Sequence, residues 1–204
     1  MKNTWFALLV AAALAGCASK PTLYYTLATG ADQGTALRAA GEAPLFIELA
    51  PVAVPERLAR PQMVVQQQAS AQGPLVEVLE QHRWSASFEN ELRDALASGI
   101  AARLGAIDLT RGGRQPTQPA WRIAVQVQRF EAVEGARVDA AFSWAVRRAD
   151  QTRSAACQWS STEPVATGID ALAHGAQQVT ARLAEAIARH VVALQAEPDA
   201  RCPV

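Results

Sequence analysis

Two adjoining segments alternate apolar and polar residues with a period of two over a length that no helix tolerates. Trp121, Ile123, Val125 and Val127 alternate with Arg122, Gln126 and Gln128, and Val138, Ala140, Phe142, Trp144 and Val146 alternate with Arg137, Asp139, Ser143 and Arg147. Successive side chains of a strand point to opposite faces, so each segment reads as a half-buried strand with one apolar face. Glu134 to Ala136 joins the two as a hairpin. Phe130 falls on the opposite parity, which predicts a bulge near Arg129. Ala155, Cys157 and Trp159 supply the inward face of a third strand that ends near Pro164. A sheet of this kind needs a cover for its apolar side.

Two helical patterns can provide it. Trp84, Phe88, Leu92, Leu96, Ile100 and Leu104 recur every fourth residue, with Ala95 and Gly99 on the same face. Ser85 or Ser87 caps the start of this helix, Glu89 and Arg93 form an i,i+4 pair, and Gly105 stops it. The second pattern runs from about Gly168 to Leu194, with Ile169, Leu172, Ala176, Val179, Leu183, Ile187, Val191 and Leu194 on its apolar face. Thr167 and Asp170 fit a capping box at its start.

Further strands are read at Leu23–Leu27, Pro44–Val54 with a break at Pro51, Gln62–Gln68, Pro74–Gln81 and Ala106–Leu109. The expected architecture is α+β: a mainly antiparallel sheet with two amphipathic helices packed on one face. Residues 23–196 form a single domain, and 197–204 an irregular tail.

The front of the chain has a different character. Lys2 supplies a positive start, Trp5 to Ala15 an apolar run, and small residues follow, which is the layout of a secretory signal over residues 1–16. The run is too short for a membrane span, which takes roughly 20 residues. It ends in Leu14-Ala15-Gly16-Cys17, which resembles the bacterial lipobox. That likeness implies a mature chain beginning at an acylated Cys17. Residues 17–22 then form a lipidated tether that reaches roughly 20 Å when extended. The following residue is Ala18 rather than the Asp associated with inner-membrane retention, so the expected location is the outer membrane, facing the periplasm.

Lys plus Arg and Asp plus Glu each number 19, so the formal charge of the 204-residue chain is zero. Loss of Lys2 leaves the mature chain slightly negative, and no basic field invites nucleic acid. With Cys17 acylated, Cys157 and Cys202 remain. In an oxidising compartment they are a candidate disulfide; the other reading is two free thiols.

Several blocks together are similar to the PqiC-type ABC-transport auxiliary lipoproteins: the lipobox, "YYTL" at Tyr24–Leu27, "VPERLARPQMV" at Val54–Val64, "HRWSASFENELRDAL" at His82–Leu96, and the C-terminal amphipathic helix. The chain departs from that pattern at Arg57, usually aromatic, and at Ala59, often acidic. It also lacks a Pro that usually follows the Trp. The resemblance implies a non-enzymatic accessory of a lipid-transport system, with an MCE-domain tunnel protein as partner and a homo-oligomeric ring as a further option. Arg57 and Arg60, held between prolines, and His82, Arg83 and Trp84 are the candidate partner contacts. Trp84 has a second reading as a core anchor.

No catalytic constellation is legible. His82, His174 and His190 lack metal-ligand spacing, and there is no nucleophile elbow, P-loop or dinucleotide fingerprint, so neither a metal nor a cofactor is expected. The histidines read as solvated or partner-facing. A competing function is a lipid-binding module with a groove lined by Phe130, Phe142 or Trp144, residues that core packing also explains.

Overall fold

The computed structural model describes residues 20–28, 36–38, 41, 43–67, 75–113 and 119–203. The signal segment, Cys17 and the middle of the 28–43 loop lie outside the described residues. The elements are β1 (Leu23–Tyr25), β2 (Leu45–Leu49), β3 (Gln62–Gln66), β4 (Val76–Trp84), α1 (Phe88–Leu104), β5 (Ala106–Asp108), β6 (Trp121–Val133), β7 (Arg137–Arg148), β8 (Ala155–Pro164) and α2 (Ile169–Ala196).

The α+β class stands, with all eight strands in one mixed sheet. Its backbone is the β6–β7–β8 meander, antiparallel throughout. The inward residues of β6 and β7 are buried one after another, and the register slips between Val127 and Arg129, where the parity change placed a bulge. The other edge of β6 is shared. β2 runs parallel to its first half, Ala53 makes a single parallel bridge to Gln126, and β3 runs parallel to its end. The chain from Leu45 to Gln66 thus follows one edge of β6 and leaves it only for a loop at 54–61. β5 extends the sheet beyond β2, and β4 then β1 extend it beyond β3, with β1 parallel to β4. These parallel pairings are short and link segments far apart in sequence, which alternation within a segment cannot reveal.

The two helices lie side by side on the apolar face, α1 over β2 and β5, α2 over β6, β7 and β8. Leu92, Leu96, Ile100 and Leu104 from α1 and Leu172, Val179, Leu183, Ile187 and Val191 from α2 are fully buried with Ile123, Phe142 and Trp144. Full burial of a side chain of this size contributes about 1.5–3 kcal/mol, so this layer holds the domain together.

Four local expectations need correction. Trp84 closes β4 rather than opening α1: its N–H bonds to the Pro61 carbonyl at 2.7 Å, and Ser87 caps the helix by accepting from the Asn90 N–H. Its place in the every-fourth-residue series arises because the strand end and the helix face point into the same core. Second, no capping box forms at α2. Gly168 is its N-cap at φ 103°, backbone that glycine adopts without steric cost, and the Asp170 carboxylate accepts from the Tyr25 hydroxyl instead. Third, Arg93 donates to the carbonyls of Leu49 and Thr110, not to Glu89. Last, His190 is buried on the apolar face of α2.

Candidate functional site

The three sequence blocks after the lipobox meet in space. Loop 54–61 leaves the edge of β6, makes a 3-10 turn at Glu56–Leu58 and buries Leu58 in the core. The turn closes through Leu58 N–H to Pro55 O at 2.8 Å and Ala59 N–H to Glu56 O at 3.1 Å. Its return is fixed by the Trp84 N–H to Pro61 O bond and by the Phe88 N–H to Arg60 O bond at 3.3 Å. With Leu58 inside and Pro55 and Pro61 stiffening the ends, Arg57 and Arg60 are both exposed.

The end of β4 carries the other candidates to the same region, since Gln62 of β3 stands opposite Arg83. Arg83 is partly exposed and paired with Glu80 at 2.9 Å. Trp84 is buried, tilted against Phe88, which in turn packs on Phe130. Its side chain is a core anchor. His82 is half-buried and its ring stacks on Tyr25.

Tyr25 leads to residues that the sequence reading passed over. Its hydroxyl donates to Asp170 Oδ1 at 2.7 Å, and the same oxygen lies 2.9 Å from His82 Nδ1. A phenol has one proton to give, so His82 Nδ1 is the donor in the second bond. Burial, together with the hydrogen bond and negative charge of Asp170, pushes the Tyr25 hydroxyl up to about 12, so it stays protonated. One turn into α1, Glu91 is buried and fully engaged. It accepts from Thr26 Oγ1 and the Leu27 N–H, both at 2.9 Å, and from the Ser85 hydroxyl. Gln177 of α2 donates to the Thr26 carbonyl at 2.8 Å. Segment 23–28 is therefore fastened to β4 and to both helices. A carboxylate within the apolar spacing Phe88, Leu92, Ala95 was the one sequence signal for this cluster.

At the opposite end, Cys157 and Cys202 are joined by a disulfide with Cα atoms 5.6 Å apart. It ties the tail to β8. His190 lies 3.6 Å from Cys157 Sγ and accepts from Trp144 Nε1 at 3.0 Å. Burial lowers the His190 pKa from its ordinary 6.5, which keeps the imidazole neutral and able to accept. Phe130, Phe142 and Trp144 are all closed into the core. The gap among Trp84, Phe88, Phe130 and Leu172 is about 20 Å³, room for one water and not for an acyl chain. The arrangement sets an ordered loop bearing two exposed arginines beside the fastened segment 23–28.

Known proteins bear on this geometry. A crystal structure of an uncharacterised protein matches with a TM-score of 0.65 at 17% identity, covering 84% of this chain and 99% of the other. A second, of a Xanthomonas campestris protein of the DUF330 family, matches with a TM-score of 0.62 at 13% identity, covering 87% and 98%. At such identities the likeness is one of fold. Among curated proteins none matches the sequence. The family described as ABC-type transport auxiliary lipoprotein component matches residues 25–188, from Tyr25 of the fastened segment through most of α2. The chain belongs to the ABC-type transport auxiliary lipoprotein family.

Proposed function

We propose that this protein is a non-enzymatic lipoprotein, anchored through Cys17 in the outer membrane and facing the periplasm. It docks the far end of an MCE-type phospholipid conduit to that membrane. The observation that carries the reading is membership of the auxiliary family over residues 25–188 in a chain whose apolar start ends in Leu14-Ala15-Gly16-Cys17. The geometry supports it. A domain on a tether of roughly 20 Å meets an inner-membrane transporter only through a partner that spans the gap, and Arg57 and Arg60 stand exposed on a stiff loop where guanidinium groups can engage a partner's carboxylates. No helix among the described residues is long and apolar enough to cross a membrane.

Mild crosslinking in intact cells followed by affinity capture of the full lipoprotein tests the proposal. Recovery of an MCE-domain protein is the expected result, and capture without one would sink it. Phospholipid co-purifying in stoichiometric amount with the protein in native mass spectrometry would favour a lipid carrier instead.

A further inference from the structure

Large apolar side chains left exposed among the described residues are Leu23, Tyr24, Leu75, Val76 and Ile107. Leu23 and Tyr24 differ from the rest in their position along the chain. They form the outer strand β1, 47% and 66% exposed, and only Lys20, Pro21 and Thr22 of the described chain precede them. The strand is not loose. Tyr25 is clamped by His82 and Asp170, and the next residues by Glu91 and Gln177. Two apolar side chains, projecting to opposite faces of a fastened edge strand and both exposed, thus stand six and seven residues after Cys17.

We infer that Leu23 and Tyr24 form a seat that rests on the surface of the phospholipid bilayer carrying the anchor and sets the domain's orientation there. The inference builds on the proposed acylation of Cys17. Chain length argues for the occupant: a tether of this length keeps β1 within roughly 20 Å of the lipid surface in any extended state, and closer in others. Tyrosine sits favourably at headgroup level, ring among the upper acyl carbons and hydroxyl in water, and leucine adds buried apolar area. Arg83, paired in register with Tyr24, stands at the same edge with its charge shared with Glu80, and Lys20, exposed three residues before Leu23, adds a cation that suits lipid phosphates. With the anchor supplying the affinity, the seat supplies direction: it fixes which face of the domain points away from the membrane. Ile107, 50% exposed on β5 at the opposite end of the strand order, has no such chain connection and serves as the control.

The test uses the full acylated protein reconstituted in vesicles of phosphatidylethanolamine and phosphatidylglycerol. A polarity-sensitive fluorophore is placed through Tyr24→Cys or, separately, Ile107→Cys, and vesicle flotation is scored first. The expected result is flotation of both, with a blue-shifted emission at position 24 that lipids brominated near the headgroup quench, and neither effect at 107. Flotation with water-like emission at 24 overturns the seat and leaves the anchor standing. Failure to float overturns the anchor and the seat with it. A blue shift at 24 that brominated lipid does not quench means that protein, such as a second copy, covers the strand, and overturns the seat as well. Changing Leu23 and Tyr24 to Ser while labelling Thr22→Cys gives an independent reading: flotation persists, and the quenching seen at position 22 with Leu23 and Tyr24 in place is lost.

Discussion

The meander half, β6 to β8 with α2 above it, and the edge half, β1, β4 and loop 54–61 with the start of α1, are held by different means. In the meander, neighbours in space are neighbours in sequence, and Glu134–Ala136 is all that separates β6 from β7. Its ladder runs from Trp121 opposite Arg148 to Val133 opposite Arg137, over an unbroken apolar face. In the edge half, β1 meets β4 across three residues, and Tyr25 finds His82 at a separation of 57 and Asp170 at 145. Loop-closure entropy makes such contacts expensive, and the edge half compensates with directed polar bonds to Glu91, Asp170 and Gln177. One half is packed and the other is buttoned. The buttoned half carries the exposed Arg57 and Arg60 and the first described strand, β1.

The largest way to break this contrast is to open the loop that the disulfide closes in the packed half. With Cys157 and Cys202 separated by 45 in sequence, the chain-entropy model assigns the cross-link about 4 kcal/mol. Cys202→Ser removes it while keeping the buried Cys157 in place. The expected result is a stability lowered by about that amount in a single urea transition whose slope is no lower than that of the unaltered protein, meaning that both halves unfold as one unit. A lowered slope or a second transition would mean that the buttoned half unfolds separately. Non-reducing mass spectrometry of the unaltered protein should give a mass two hydrogens below that of the dithiol, and a dithiol mass would remove the basis of the experiment.

The buttoned half has its own weak point. Glu91→Ala deprives the Leu27 N–H and the hydroxyls of Thr26 and Ser85 of their acceptor. A buried donor left unsatisfied costs about 1–3 kcal/mol, so a loss of about 2 kcal/mol is expected. Its location sharpens the comparison more than its size: amide exchange at Leu27 should accelerate well before that of β6 and β7. Equal acceleration in both halves would show that Glu91 supports the whole domain and not one strand.

The same division explains what could be read from the sequence. The meander, the bulge near Arg129, both helices and the Gly105 stop were legible, because each rests on spacing within a short window. The parallel pairings of β1, β2 and β3 were not, since no local pattern says which distant strand lies alongside. Trp84 misled because a strand's last inward residue and a helix's apolar face can continue one another at a spacing of four. Glu91 was not singled out and His190 was read as solvated or partner-facing, because a polar residue within an apolar spacing shows its burial only once its partner, far away in sequence, is known. The exposed side of the site, Arg57 and Arg60 between two prolines, was legible as an ordered loop because proline fixes φ whatever surrounds it.

His190 gives the packed half a pH signature of its own. Its folded pKa lies below its ordinary 6.5 because burial disfavours the imidazolium, so below 6.5 the unfolded chain binds the proton that the folded chain refuses. Stability therefore falls as pH drops from 6.5 toward the folded value, by up to about 1.4 kcal/mol per pH unit for one proton. His190→Gln keeps an acceptor for Trp144 Nε1 and removes the titration, so the decline between pH 6.5 and 5 should flatten in urea titrations. Asp139 acts in a separate window. Burial works against its carboxylate, but hydrogen bonds from Thr162 and Arg137 and the charges of Arg137 and Arg129 outweigh this and hold it below its ordinary 3.8. Its contribution is present above that value and is lost only as pH falls through the lower, folded one. An unchanged acid limb in the His190 variant would place the pH sensitivity elsewhere.

The smallest expected effect on stability is the one that most directly separates holding from docking. Arg57 and Arg60 are exposed, and the loop's order comes from Leu58, the prolines and backbone bonds rather than from their guanidinium groups. Changing both to Glu should therefore move the urea midpoint by no more than about 0.5 kcal/mol equivalent, as for surface substitutions away from special features. On the proposed reading the same variant should lose crosslinked capture of its conduit partner, because reversing two charges on a stiff loop turns attraction to carboxylates into repulsion. Arg57→Lys with Arg60→Lys should restore most of the capture if charge is the requirement, and little of it if two-pronged guanidinium contacts are. Capture undiminished in the Glu variant, with stability unchanged, would move the docking surface off loop 54–61. The buttoned half would then be a device for holding the tether alone.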